Sequence, residues 1–398
     1  MESTRTTYRL SEDCSVKYLE KPFIYNRKTD ELYEIDKEGL NFIGKLPADK
    51  SIRHSNDSKK FFNYLLRENL IIETDTVKPI RMPAQAILPS LRYLELQLTA
   101  KCNLKCKHCY LGKASNAELP IKIATKAVKE FERMQGLRLI VSGGEPLLYS
   151  HFDELNGFLS GSKLRRILLT NGFLLTEIDL GMLNFDEIQV SVDGIGDSHD
   201  RIRGKGSFNR TMAGVEAAKK AGFQISIATM VTEYNKNEFS EMERLLKSKS
   251  IKEWGIDMPC VSGYLQENSD LMPSLSDAAK CMRFAFDGGY HGTDGKSACG
   301  AHLCTITPEG HVLKCGFYPE SPYGRVAEGL KNCWLNATHL TLSQLKECRD
   351  CQALKECAGG CRYRAETLYG KDKVMCYLYG MKDLLVPDIS GNRSILSE

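Results

Sequence analysis

The chain has 398 residues, 42% hydrophobic and 26% charged, with a net charge of +3. A balance so near neutral argues for neither a nucleic-acid nor a membrane-surface partner, and no apolar run approaches the ~20 residues of a membrane span. The length allows two or three domains, and the polar N-terminus, Met1-Glu-Ser-Thr-Arg5, has no signal-peptide core, so a cytoplasmic location is expected.

Residues 1–75 read as a small α+β unit. Lys17-Tyr-Leu19, Phe23-Ile-Tyr25 and Leu32-Tyr-Glu-Ile35 have the composition of short strands, with Asn26–Asp30 as a polar turn. Asp36 is placed to cap a helix carrying Leu40, Phe42, Ile43 and Leu46. A second helix is expected over 58–68, and Leu70-Ile-Ile72 as an edge strand. Residues 76–91 contain Pro79, Pro83 and Pro89 without periodicity and read as a linker.

From 92 to 288 the pattern is strand–helix repeats. Strands are expected at 92–99, 138–142, 165–170, 187–192, 224–231 and 253–258, with amphipathic helices at 121–134, 207–221 and 237–248. Alternation of this kind implies a parallel sheet with helices outside, curved by right-handed crossovers into a partial (β/α)6 barrel. Chemistry in such folds sits at the C-terminal ends of the strands.

The first expected strand is followed by Cys102-Asn-Leu-Lys-Cys106-Lys-His-Cys109. Three thiolates at C-x3-C-x2-C spacing suit three corners of an iron–sulfur cube and leave one iron open; a zinc loop or three unrelated thiols are the alternatives. Val141-Ser-Gly143-Gly144-Glu145-Pro146 follows the second strand, Thr170-Asn171-Gly172 the third, and Ser191-Val-Asp193-Gly194 the fourth, with His199 and Arg203 beyond. Glycines let backbone approach a ligand closely, a carboxylate suits an ammonium, and an arginine fork suits a carboxylate.

From 289 to 398 periodicity fades and cysteines dominate. The chain has fifteen, eleven of them at or beyond Cys260. An odd count cannot pair completely, and clustered thiols in a reducing compartment read as metal sites. The dense run is Cys348-x2-Cys351-x5-Cys357-x3-Cys361, then Cys376, preceded by Cys299, Cys304 and Gly310-x4-Cys315. Zinc is the competing reading of the C-x2-C pair. Cys14, Cys260 and Cys281 read as ordinary buried thiols.

The Cys102/Cys106/Cys109 loop and the GGEP run together resemble radical S-adenosylmethionine (SAM) enzymes, with His108 where that family usually carries an aromatic residue. The resemblance implies that the open iron chelates SAM, which one electron splits to a 5′-deoxyadenosyl radical. It implies SAM contacts from Gly143, Gly144, Glu145 and Pro146, a ribose contact from Ser191, a carboxylate contact from Arg203, a pocket role for Asn171, and Tyr110 beside the adenine. The C-terminal spacings are similar to the SPASM pattern. That implies two auxiliary [4Fe-4S] clusters, making three in all. By analogy Cys299, Cys304, Cys315 and Cys361 hold the first, with Cys333 competing for the place of Cys304. Cys348, Cys351, Cys357 and Cys376 hold the second.

Residues 1–75 resemble the winged-helix recognition element of enzymes that modify ribosomally made peptides. A leader peptide would add as a strand beside Leu32–Ile35 and pack near Tyr64 and Leu65. The segment mixes Lys/Arg with Asp/Glu and shows no basic recognition helix, so DNA is not expected. The implied activity is an oxidative crosslink (thioether, ether or C–C) in a precursor peptide, with a low-potential donor such as flavodoxin or ferredoxin. A tetrapyrrole-modifying and a formylglycine-forming enzyme are the alternatives. The latter branch carries an aspartate directly after the cysteine matching Cys315, where this chain has Gly316. No general base stands out.

Overall fold

The computed structural model describes residues 6–75, 79–287 and 295–381. The expected domain boundary at 288/289 and the start of the linker therefore lie outside the described residues. Among those described, no helix is long and apolar enough to cross a membrane.

The first unit contains β1 (Thr7–Leu10), β2 (Cys14–Tyr18), β3 (Pro22–Asn26), β4 (Glu31–Glu34), β5 (Ala48–Asp49) and β6 (Ile71–Thr74). They form two three-stranded antiparallel sheets, ordered β5-β1-β6 and β2-β3-β4. Helices α1 (Lys37–Ile43) and α2 (Asn56–Arg67) pack on them. Asp36 caps α1 as expected, its Oδ1 accepting the Gly39 N–H at 2.7 Å. The core is Tyr8, Ile24, Phe42, Ile43, Phe62 and Leu65. Leu65 is wholly buried there, so it belongs to the core and not to an open face. Tyr33 on the edge strand β4 lies against Tyr64 instead, ring centres 6.4 Å apart.

The large sheet begins with six parallel strands: β7 (Tyr93–Gln97), β8 (Arg138–Ser142), β9 (Arg165–Thr170), β10 (Glu187–Ser191), β11 (Gln224–Met230) and β12 (Glu253–Asp257). The connecting helices are α3 (Ile121–Arg133), α4 (Phe152–Leu159), α5 (Asp197–Arg203), α6 (Ser207–Lys220) and α7 (Phe239–Ser248). Leu94 and Leu96 pair in register with Leu139 and Val141 and join Ala124, Val128 and Phe131 of α3 in one apolar core. Fully burying each such side chain contributes about 1.5–3 kcal/mol. The alternate residues of β7, Glu95 and Gln97, face the opposite way and line a cavity.

The sheet continues past β7. Strand β13 (Leu303–Ile306) pairs parallel to β7, and β14 (His311–Leu313) and β15 (Gly324–Arg325) follow antiparallel, giving nine strands in all. The rest of this region holds short helices: α8 (Leu275–Met282) before it, then α9 (Leu330–Leu335), α10 (Leu354–Cys357) and α11 (Lys373–Leu378).

The first unit docks at the N-terminal ends of the parallel strands. Asp30 pairs with Arg138 at 2.6 Å and Arg165 at 3.3 Å, and Arg165 pairs with Glu187 at 2.6 Å. Arg138, Arg165 and Glu187 are the first residues of β8, β9 and β10. Arg165 also donates to the carbonyls of Arg27 and Lys28, each at 3.1 Å. The opposite ends of the strands border a cavity.

Candidate functional site: a thiol-lined cavity at the C-terminal ends of the strands

The loop after β7 carries Cys102, Cys106 and Cys109, and all three line a cavity of about 920 Å³. None is in a disulfide. Burial pushes the Cys102 thiol up to about 11, against the Leu104 N–H that favours its thiolate. Burial likewise raises Cys106, while Arg203 draws it back. Such thiols stay protonated unless a positive centre takes the charge, as a metal does.

The two glycines after β8 grip this loop. A Cβ on Gly144 would stand 2.2 Å from the Lys101 carbonyl oxygen, and one on Gly143 2.5 Å from that of Thr99. Only hydrogen fits at that approach. The contact lets Gly144 N donate to Thr99 O at 2.7 Å and Glu145 N to Lys101 O at 2.8 Å. Glu145 does not line the cavity. Its wholly buried carboxylate accepts from Thr170 Oγ1 and the Asn171 N–H, both at 2.9 Å, and from the Leu147 N–H at 3.3 Å. Burial outweighs these bonds and raises its pKa to about 7. Pro146 is buried at the start of the following 3-10 turn. These two residues thus brace the loops after β8 and β9. Asn171 carries the brace to the thiol loop, its Nδ2 donating to Asn103 Oδ1 at 2.7 Å.

Ser191, at the end of β10, lines the cavity with Asp193 and Arg203. Asp193 is fully buried. Its Oδ2 pairs with Arg203 Nε at 2.6 Å and with His108 Nε2 at 3.3 Å, and its Oδ1 accepts the Met230 N–H at 2.8 Å. Burial alone would raise this carboxyl; Arg203 foremost, then the two histidines, hold it below the usual range. Burial lowers His108 to about 4, so its ring is neutral near pH 7. The same guanidinium reaches Cys106, Nη1 to Sγ at 3.9 Å. Arg203 therefore joins the thiol loop to the fourth strand, already paired with Asp193 before any ligand carboxylate. Tyr110 lines the cavity too. Its hydroxyl accepts from Gln97 Nε2 at 2.9 Å, and its ring lies 4.8 Å from that of Phe317.

Of the expected contacts, Gly143, Gly144, Asn171, Ser191, Arg203 and Tyr110 line one cavity, while Glu145 and Pro146 stand behind it. Asp193 and Asn103 were not singled out in the sequence as contacts. Their neighbours were, and an aspartate two residues past Ser191 facing an arginine was the available signal.

The C-terminal thiols fall into groups. Cys348, Cys357 and Cys376 are raised first by burial and then by thiols of their own group, Cys351 standing beside Cys348 and Cys376. Cys299 and Cys315 are raised by burial and by the neighbouring Cys361, which marks these three as a second group. Cys304 stands apart. It is completely buried in the sheet's apolar core, with Cys333 as its nearest thiol neighbour. Among the described residues, no three His, Cys, Asp or Glu side chains converge as they would on a single ion.

Residues 96–246 match the model of the Radical SAM superfamily. The protein is an enzyme with a radical SAM domain. Such a domain implies SAM and a four-iron, four-sulfur cluster, and the three thiols and neighbouring Arg203 provide a donor set that fits them. The chain is 28% identical over 326 residues to the AdoMet-dependent heme synthase of Methanosarcina barkeri (strain Fusaro / DSM 804), covering 70% of this chain and 93% of that protein. It is 27% identical over 312 residues to the mycofactocin maturase MftC of Mycolicibacterium smegmatis, covering 67% and 77%. Its fold is similar to Streptococcus suis SuiB, solved with S-adenosylmethionine: TM-score 0.64 at 15% identity, over 92% of this chain and 99% of that one. SuiB has also been solved bound to precursor peptide SuiA.

Proposed function

We propose that this enzyme is a peptide maturase that installs an oxidative crosslink in a ribosomally made precursor. The observation that carries the reading is the fold likeness to SuiB, which runs through the small N-terminal unit as well as the barrel and the cysteine-rich region. On this reading residues 1–75 are the recognition element, 76–91 a linker, 92–288 the radical SAM barrel and 289–398 a SPASM-type region with two auxiliary clusters.

Cys102, Cys106 and Cys109 would hold the first cluster, which with bound SAM would supply a 5′-deoxyadenosyl radical. This chain's own residues set its surroundings. Gly143 and Gly144 fix the thiol loop by close backbone contact. Arg203 presents a guanidinium beside Cys106, suited to the SAM carboxylate, and Ser191 a hydroxyl at the ribose. Neutral His108 keeps a proton on one ring nitrogen without adding positive charge. Tyr110 and Phe317 form an aromatic wall that keeps water from a carbon radical. The cavity would bring a peptide C–H to the deoxyadenosyl group of bound SAM, and clusters held by the C-terminal cysteines would accept the further electron released, with a proton, when the new bond closes. The leader adds to the open edge of β4 by backbone pairing. A low-potential donor such as flavodoxin or ferredoxin supplies the electron that splits SAM.

A second reading is tetrapyrrole modification, favoured by the likeness to the heme synthase over 70% of this chain. The test incubates the iron- and sulfide-reconstituted enzyme with SAM, reductant and the short peptide encoded beside its gene. Tandem mass spectrometry should show loss of two hydrogens with fragmentation blocked between the joined residues. An unchanged peptide, with turnover of a porphyrin in its place, overturns the maturase reading.

A further inference from the structure

We infer that Cys260 is the fourth ligand of the first auxiliary cluster, in the place the resemblance assigns to Cys304. The inference rests on the reading of the C-terminal cysteines as cluster ligands, and it deepens that reading.

Strand register excludes Cys304. In β13, Cys304 pairs with Leu94 and Thr305 with Glu95. Paired residues in a sheet share a face, and successive residues alternate. Thr305 donates its hydroxyl to Glu95 at 2.7 Å on the cavity side. Cys304 therefore points to the helix side with Leu94. Bringing its thiol across requires a one-residue slip of β13, which would also turn Ile306 out of the core. Cys333 is no substitute: its Sγ donates to Arg325 O at 3.3 Å on that same helix side.

Cys260 stands where a fourth donor is needed. It is buried, 6% exposed, and its thiol is a neighbour of that of Cys361. Fixed points on both sides hold this meeting. Arg364, three residues after Cys361, pairs with Asp257 and donates from Nη1 to Met258 O at 3.0 Å. Its Nη2 pairs with Asp372 at 2.9 Å, and Asp372 accepts the Cys361 N–H at 2.7 Å. On the far side of Cys260, Tyr264 N donates to Cys109 O at 2.9 Å. Gly263 sits so close that a Cβ would be 2.4 Å from that oxygen. One short loop after β12 thus bridges the first thiol loop and the Cys361 segment. Cys260 also lines the large cavity, whereas Cys299, Cys315 and Cys361 do not. It is therefore the ligand of its set that faces the reaction chamber.

Neighbouring thiols also pair as disulfides, so the test separates the two. Full-length protein is reconstituted anaerobically with iron and sulfide. Iron content and the reduced-state EPR spectrum are compared for wild type, Cys260→Ala, Cys260→Ser, Cys304→Ala and, as a buried-thiol control, Cys281→Ala. The expected result is a changed auxiliary-cluster signal in Cys260→Ala, with loss of up to about four irons per chain. Cys260→Ser should keep more iron with a shifted signal, since an oxygen replaces the sulfur. Cys304→Ala and Cys281→Ala should match wild type. The inference is overturned if Cys260→Ala matches wild type, if Cys304→Ala carries the effect, or if mass spectrometry finds a Cys260–Cys361 disulfide in the loaded protein. A wild type with iron for only one cluster defeats the auxiliary-cluster reading and the inference together. Three clusters indifferent to Cys260 defeat the inference alone.

Discussion

At the N-terminal ends of the barrel strands, Arg138, Arg165 and Glu187 are neutralised inside the chain, by one another and by Asp30 of the first unit. At the C-terminal ends, the buried groups are of a different kind. Cys102 and Cys106 are thiols raised by burial, and His108 Nδ1 and His199 Nε2 are buried without a hydrogen-bond partner. One end is tied by ion pairs between the two units and serves as a joint. The other borders the cavity that Cys102, Cys106, Cys109 and His108 line together.

The sharpest way to break this contrast is at the open end. Cys106→Ala should reduce 5′-deoxyadenosine formation to background, measured by liquid chromatography, while leaving the unfolding midpoint of the cluster-free protein within about 0.5 kcal/mol of wild type. Arg165→Ala should do the reverse. Removing one partner of a buried ion pair costs about 3–5 kcal/mol, read by denaturant unfolding.

Lys17 tests the joint through pH. Its ammonium is buried and donates to Gly136 O at 2.8 Å, and burial lowers its pKa from 10.5 to about 8. Below pH ~8 both the folded and unfolded chains carry the proton, so no slope arises. Between ~8 and ~10.5 the unfolded chain binds a proton that the folded chain has released, so stability rises with pH. Relative to Lys17→Met, wild type should gain on the order of 3 kcal/mol across that window. A flat difference would show that Lys17 titrates normally. The smallest effect is expected at the edge of β4. Tyr33→Ala should weaken binding of the precursor peptide by about tenfold, near 1.4 kcal/mol, without altering 5′-deoxyadenosine formation in the absence of peptide. Fluorescence anisotropy of a labelled leader reads it.

The barrel was legible because its strands are apolar runs ended by motif residues. The expected 138–142 and 165–170 agree with β8 and β9 to the residue, and the others overrun by one to three residues. What escaped the reading is non-local. β13 is four residues long and owes its strand state to pairing with β7, some two hundred residues earlier. Helix α5, Asp-Ser-His-Asp-Arg-Ile-Arg, is polar along most of its length and reads as a loop. In the site, spacing identified Cys102, Cys106 and Cys109, because one short loop presents them together. For Cys304, spacing along a chain is blind to which face of a strand a thiol occupies, and this one lies in the apolar core. Cys260 lies thirty-nine residues before Cys299, and only the Arg364 and Gly263 contacts show where its loop goes. Tyr64 and Leu65 adjoin in sequence, yet helical geometry sends Leu65 into the core and leaves Tyr64 half-buried beside Tyr33.

The central claim is that the open end of the barrel takes a hydrogen atom from a peptide. It is tested most directly by presenting the reconstituted enzyme with precursor peptide deuterated at its backbone α and side-chain β carbons, and measuring deuterium in the 5′-deoxyadenosine formed. The account predicts one deuterium transferred for each peptide that loses two hydrogens. Deoxyadenosine without deuterium, alongside an unmodified peptide, would contradict it.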